Sequence, residues 1–156
     1  DLSHVLIFAS SIKSVREIKK TLNNAGMRAS EMHSGLEQER REKTIREFKS
    51  KKIRILVATD ILSRGIDIKG IELVINYEVP HDAEDYVHRI GRTARADRKG
   101  EAITFINPKQ VRNFMNIEKL IEKEVPKLNL PKKFKESPKY QIIAKKKKWR
   151  NFKNKK

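Results

Sequence analysis

Short apolar runs alternate with longer amphipathic stretches along the first 125 residues. VLIFA (Val5–Ala9) and IRILVAT (Ile53–Thr59) are continuously apolar over the length of a strand covered on both faces of a parallel sheet. IELVINYE (Ile71–Glu78) and EAITFIN (Glu101–Asn107) read as two more strands, and MRASEMH (Met27–His33) as a shorter one. Between them the apolar spacing changes to three and four. Ile12, Val15, Ile18, Leu22 and Ala25 mark one helical face, with N-cap oxygens at Ser10 and Ser11 and a stop at Gly26. A charged helix is predicted from about Leu36 to Lys49, anchored by Ile45 and Phe48. DAEDYVHRI forms a short helix after Pro80, and Pro108 suits the first position of a last helix carrying Val111, Phe114, Ile117, Leu120 and Ile121. Strands alternating with helices imply an α/β fold with a doubly wound parallel sheet and helices on both faces. Ligands of such sheets gather at the carboxyl ends of the strands. Beyond Pro131 the periodicity is gone, so residues 1–125 are expected to form one domain and 126–156 a basic, flexible, disordered tail.

Charge sharpens that division. The net charge of the 156 residues is +17, and residues 132–156 hold 12 Lys and Arg against the single acid Glu136, or +11. Charge of this sign and scale favours a polyanion, and no basic helix with a broad apolar face points to a membrane surface, so nucleic acid is the expected partner. Tyr140, Trp149 and Phe152 are scattered through the same lysine-rich stretch. Without cysteine there is no disulfide frame and no thiolate metal site, and no metal is expected on this chain. A reducing, cytoplasmic setting is compatible with that composition, and no signal peptide or membrane-length apolar run is present. The chain begins without Met on the approach to a strand, which reads as a fragment lacking its N-terminal portion.

Three stretches carry candidate chemistry. HRIGRTAR (His88–Arg95) crowds Arg89, Arg92 and Arg95 into eight residues. Arg92 and Arg95, three apart, point the same way on a helical turn, and two guanidinium forks converging on one spot suit phosphate oxygens. The bland alternative is that these arginines pair with acids such as Glu84, Asp85 and Asp97. In ATDILSRGIDI (Ala58–Ile68) a strand ends at Thr59 and Asp60 and continues through Arg64 and Gly65 to Asp67. A hydroxyl and a turn at a strand end can hold phosphate, and a carboxylate can accept ribose hydroxyls; Asp60 is equally suited to capping a short helix. HSGLEQERR (His33–Arg41) places Gln38 and Arg41 one helical turn apart.

These stretches, in this order, resemble motifs of the DEAD-box RNA helicases: VLIFASS is similar to motif IV, the Gln38–Arg41 element to motif IVa, ATDILSRGIDI to motif V and HRIGRTAR to motif VI. The resemblance covers about residues 1–125 and implies the second, C-terminal RecA-like domain of an ATP-dependent RNA helicase. It implies that Arg92 and Arg95 reach the γ-phosphate of ATP, with Arg95 as the arginine finger, and that Asp67 binds the ribose while Gly65 admits the backbone. Gly35, Gln38, Arg41 and Thr59 are then expected along the RNA sugar-phosphate backbone, and Arg64 and His88 against the first domain. Two departures stand out. Ala94 occupies a position where the family usually has Gly, and neither a phosphate loop nor an Asp-Glu-Ala-Asp box is present. ATP and Mg²⁺ are therefore expected to be held mainly by a separate N-terminal RecA-like domain of the same protein, leaving this domain inactive alone. The implied partner is RNA read without regard to sequence, and the protein is expected to be a monomer away from membranes. Two other readings remain open from the sequence: a DNA-directed superfamily 2 helicase domain, and a basic RNA-binding module without ATP chemistry.

Overall fold

The computed structural model describes residues 2–60, 68, 70–93, 100–131, 133, 134, 140 and 141. Their elements run β1 (Val5–Phe8), α1 (Ile12–Asn24), β2 (Ala29–Met32), α2 (Gln38–Lys49), β3 (Ile55–Ala58), β4 (Leu73–Asn76), α3 (Ala83–Ile90), β5 (Glu101–Thr104) and α4 (Val111–Leu120). The strands form one parallel sheet in the order β2-β3-β1-β4-β5.

That order explains where the helices lie. From β1 to β2 the chain steps two places one way; every later step goes the other way. Right-handed crossovers therefore send α1 to one face and α2 and α3 to the other. Packing agrees: Val15, Ile18 and Leu22 of α1 cover Val5, Ile7, Ile55, Val57 and Leu73. Phe48 of α2, with Ile45 beside it, covers Leu6, Phe8, Met32, Leu56 and Val74. Alternate residues of β1 thus face opposite helix layers, which is why its sequence is apolar without interruption. A third cluster joins Val79, Tyr86, Phe114 and Ile117 between α3 and α4.

Strands and helices are shorter than the apolar runs that announce them. Ile53 does not pair in the sheet because its N–H bonds Glu47 C=O as α2 ends (3.2 Å), and Leu36 N–H is taken by His33 C=O in a turn (3.1 Å) before α2 starts. Pro108 is not the first residue of α4. It lies in a turn over 108–110, where the Asn107 side chain accepts from Lys109 N–H (2.9 Å) and delays the helix to Val111. Ser11 caps α1, accepting from Ser14 N–H at 3.1 Å.

Three helices end alike. After α1, Gly26 at φ 78° lets its own N–H reach Asn23 C=O (3.0 Å) and Met27 N–H reach Leu22 C=O (2.9 Å), a Schellman motif. After α2 and α4 the left-handed position is held by Lys51 (φ 60°) and Glu122 (φ 51°) instead, with the same pair of bonds. At the open edge of the sheet, Met32 C=O faces β3 through Thr59 N–H, so the backbone of Ala29, three residues earlier, faces outward. The Asn23 side chain takes both Ala29 groups, accepting from N–H at 2.8 Å and donating to C=O at 3.4 Å, and blunts the edge against further strands.

Past α4, Glu118 ties down the segment leading to the chain end. It accepts from Val125 N–H (2.8 Å), the Lys127 ammonium and Tyr140 O–H (2.8 Å), while Lys127 stands 4.6 Å over the Tyr140 ring. The three donors together hold the Glu118 carboxyl below its ordinary value against the opposing effect of burial.

Candidate functional site

The carboxyl ends of the strands gather one group of side chains, and α3 carries a second from that edge down toward the start of β4. Beside β2 and β3 stand Gly35, exposed in the turn before α2, and Gln38, exposed at the start of α2. Arg41 lies one turn further along α2, half-buried, with its Nε enclosed and making no hydrogen bond. Thr59 closes β3, its N–H on Met32 C=O at 3.1 Å, which places the β2 and β3 loops side by side. Gln38 Nε2 donates to Glu42 at 2.7 Å, a solvent-side contact that a ligand can displace.

Beneath Gly35 lies His33, fully buried, with neither ring nitrogen hydrogen-bonded and Nε2 3.8 Å from Glu31. Burial lowers the His33 pKa, Glu31 opposes this, and Arg16 and Lys19 reinforce it, so the ring is neutral at pH 7. Burial tends to raise the Glu31 pKa, but Lys19 at 3.0 Å, His33 and Arg40 at 3.7 Å outweigh it and keep the carboxyl below its ordinary value. A buried histidine on this edge was not anticipated.

The second group comes from α3. Asp82 caps its start, accepting from Glu84 N–H at 3.0 Å. Of the three arginines that follow, Arg89 is not a ligand-facing group. It is 2 % exposed and grips Asp60 with two parallel bonds, Nε to Oδ1 at 2.7 Å and Nη2 to Oδ2 at 2.8 Å. Nη1 reaches Asn76 Oδ1 (3.3 Å) and Glu78 C=O (3.4 Å), and the guanidinium lies 5.1 Å over the Phe8 ring. For Arg89 the salt-bridge reading holds, with Asp60 as its acid. Asp60 serves as that anchor, and the ends of β1, β3 and β4 are stitched through one side chain.

Three residues on, Arg92 is half-buried just past α3, its N–H on Arg89 C=O at 3.2 Å. Thr93 then turns inward and donates to Ile71 C=O at 2.8 Å. A Cβ on Gly100 would come within 1.9 Å of Thr93 Oγ1, so this approach needs glycine. His88, half-exposed on α3, has Nδ1 4.0 Å from Asp85. Arg64, Gly65, Asp67, Ala94 and Arg95 lie outside the described residues, as does most of the basic tail.

The sequence model of a family described as "Helicase conserved C-terminal domain" matches residues 2–97. The ATP-dependent RNA helicase DeaD of Buchnera aphidicola is 39 % identical over 132 residues, which are 85 % of this chain and 22 % of that protein. A crystal structure of the E. coli DEAD-box protein SrmB bound to the regulator of ribonuclease activity A superposes with a TM-score of 0.73 at 32 % identity, covering 79 % of this chain and 72 % of that one. The S. cerevisiae Dbp5 L327V variant bound to RNA and ADP BeF3 gives 0.70 at 34 % identity, over 74 % of this chain and 32 % of that one. The chain spans about a fifth to a third of the length of the curated relatives it matches, from 22 % to 34 %.

Proposed function

The chain belongs to the helicase conserved C-terminal domain family, in its DEAD-box branch, and from that membership we propose that it is the second RecA-like domain of an ATP-dependent RNA helicase. The observation that carries the reading is the gathering of Gly35, Gln38, Arg41 and Thr59 at the carboxyl ends of β2 and β3, with α3 running from that same edge toward the start of β4 and carrying Arg92 with it. Gly35, Gln38, Arg41 and Thr59 run along the sugar-phosphate backbone of RNA, and contacts to phosphates rather than base edges make the binding indifferent to sequence. Arg92 and Arg95 meet the γ-phosphate of ATP, where guanidinium charge stabilises the charge that spreads over the transferring group. Asp67 accepts from the ribose hydroxyls, Gly65 lets the backbone approach, and His88 and Arg64 meet the partner domain.

ATP suits the two guanidinium groups assigned to its γ-phosphate, and its hydrolysis supplies the free energy for strand separation. Among the described residues no group of three or more His, Asp or Glu can hold a metal ion. The Mg²⁺ ligands and the phosphate loop are assigned to an N-terminal RecA-like domain of the same protein, so the chain alone hydrolyses no ATP above background. The basic tail acts as a tether that raises the local concentration of RNA, its charge releasing counterions and its aromatic rings stacking on bases.

The discriminating test is ATP turnover of the parent protein with RNA or DNA strands of equal length and sequence. Stimulation by RNA well above that by DNA is expected. Equal stimulation would move the protein to the DNA-directed helicases, and turnover indifferent to both would leave a basic RNA-binding module.

A further inference from the structure

A recess of about 440 Å³ opens at the opposite, amino-terminal edge of the sheet, between the loop entering β2 and the loop entering β3. It is lined by Gly26–Ser30 and by Lys52, Ile53 and Arg54. Arg28, Lys52 and Arg54 are all exposed, no acidic side chain lines the recess, and none of the three has an acidic partner among the described residues. Three cations sharing one small hollow repel each other unless an anion enters, and two of them are guanidinium forks suited to phosphate oxygens.

A second feature links this hollow to the edge where RNA is assigned. Arg40, Lys43, Arg46 and Lys49 recur at every third residue of α2, all exposed, and form one diagonal row across its solvent face. Their acidic contacts are loose, Arg40 to Glu31 at 3.7 Å and Arg46 to Glu42 at 3.9 Å. The row starts beside Gln38 and Arg41 and ends beside Lys52. Because α2 runs antiparallel to the strands, it leads from the carboxyl-end edge to the recess, about 18 Å at 1.5 Å per residue.

We propose that the recess is an auxiliary RNA site, in which Arg28, Lys52 and Arg54 hold phosphates of a single strand that leaves the Gln38–Arg41 edge and follows the cationic row of α2. The inference rests on the RNA reading of that edge and extends it to a second contact outside the motifs. Crossing α2 takes about five further nucleotides at ~3.4 Å per stacked residue of one strand. Only an RNA longer than the edge can therefore reach the recess.

The test compares the chain with its Arg28→Gln/Arg54→Gln variant on oligouridylates of about six and about 15 nucleotides, chosen so that only the longer one spans α2. For the longer RNA the variant should flatten log K against log[salt] by about 1.4, from two contacts at roughly 0.7 each. For the shorter one the slope should be unchanged. An Arg28→Lys/Arg54→Lys variant should keep most of the slope, and Arg112→Gln/Lys119→Gln on α4, with the same loss of charge, should leave both RNAs as in the parent chain. Unchanged binding of the longer RNA, or equal losses at both lengths, would overturn the proposal. So would binding of tripolyphosphate at the recess with both RNA slopes intact, since the occupant would then be a small polyanion. Gln38→Ala/Arg41→Ala separates the two readings: it should weaken both lengths, and its failure to do so would count against the edge rather than the recess.

Discussion

Arg89 and Arg92 stand three residues apart and carry the same charge, yet the fold uses them oppositely. Arg89 is fully buried and grips Asp60, Asn76 and Glu78, and Arg92 is half-buried just past the helix. Breaking a buried ion pair typically costs 3–5 kcal/mol; because Asp60 is 42 % exposed, Arg89→Ala should cost about 2–4 kcal/mol. Arg92→Gln should cost less than about 1 kcal/mol, as expected of a partly exposed side chain outside the core. Urea midpoints of the two variants check this, and equal losses would mean that Arg92 holds the fold as firmly as Arg89. His33 gives the residue scale a pH signature. Its folded pKa lies below the ordinary 6.5, so below that pH the unfolded chain takes up a proton that the native chain refuses, and stability falls. Glu31 is also shifted below its ordinary 4.5, so its contribution is present above that value and lost only in stronger acid. The decline from pH 6.5 to 5 should therefore belong to His33 and disappear in a folded His33→Gln variant, measured as urea midpoint against pH.

At the scale of elements, the strands and helices were legible because both faces of the sheet are covered. Continuous apolar runs can then mean only buried parallel strands, and i, i+3, i+4 spacing marks the covering helices. Boundaries were less legible, since they depend on single hydrogen bonds such as Asn107 to Lys109 and Ile53 to Glu47, which no periodicity records. The candidate site divided the same way. That Gln38, Arg41 and Thr59 lie at one end of the sheet follows from the helix and strand limits, but Arg89 could not be told from its neighbours, because its partner Asp60 is 29 residues away in sequence. The helix ends offer a direct check on this local physics. Lys51 occupies the left-handed position of a Schellman motif, where a side chain costs roughly 1–2 kcal/mol and glycine does not. Lys51→Gly should therefore stabilise the chain by about 1 kcal/mol, seen as a higher thermal midpoint, whereas a lower one would mean that the Lys51 side chain contributes more than its backbone costs.

For the whole molecule, charge and fold are separable. Glu118 holds Tyr140, so the domain keeps a grip on its chain as far as that residue. Residues 142–156 hold eight Lys and Arg and no acid. If about five of these charges meet phosphates, removing the segment should flatten the salt dependence of RNA binding by ~3.5, at roughly 0.7 per phosphate of a single strand. Affinity should fall alike for every sequence, while turnover of the parent enzyme at saturating RNA should hardly change. Equal slopes with and without the segment would reduce it to a solubilising end.

The central claim is that this domain completes an ATPase whose other half lies in an N-terminal domain. It is tested most directly by RNA-stimulated ATP turnover of the parent protein carrying Arg95→Ala, with RNA affinity measured on the same preparation. An arginine acting on the transferring phosphate is worth about 10³–10⁵ in rate in comparable enzymes. The account predicts a loss of that order in kcat with RNA affinity nearly unchanged. Near-normal turnover in the Arg95→Ala protein would contradict it.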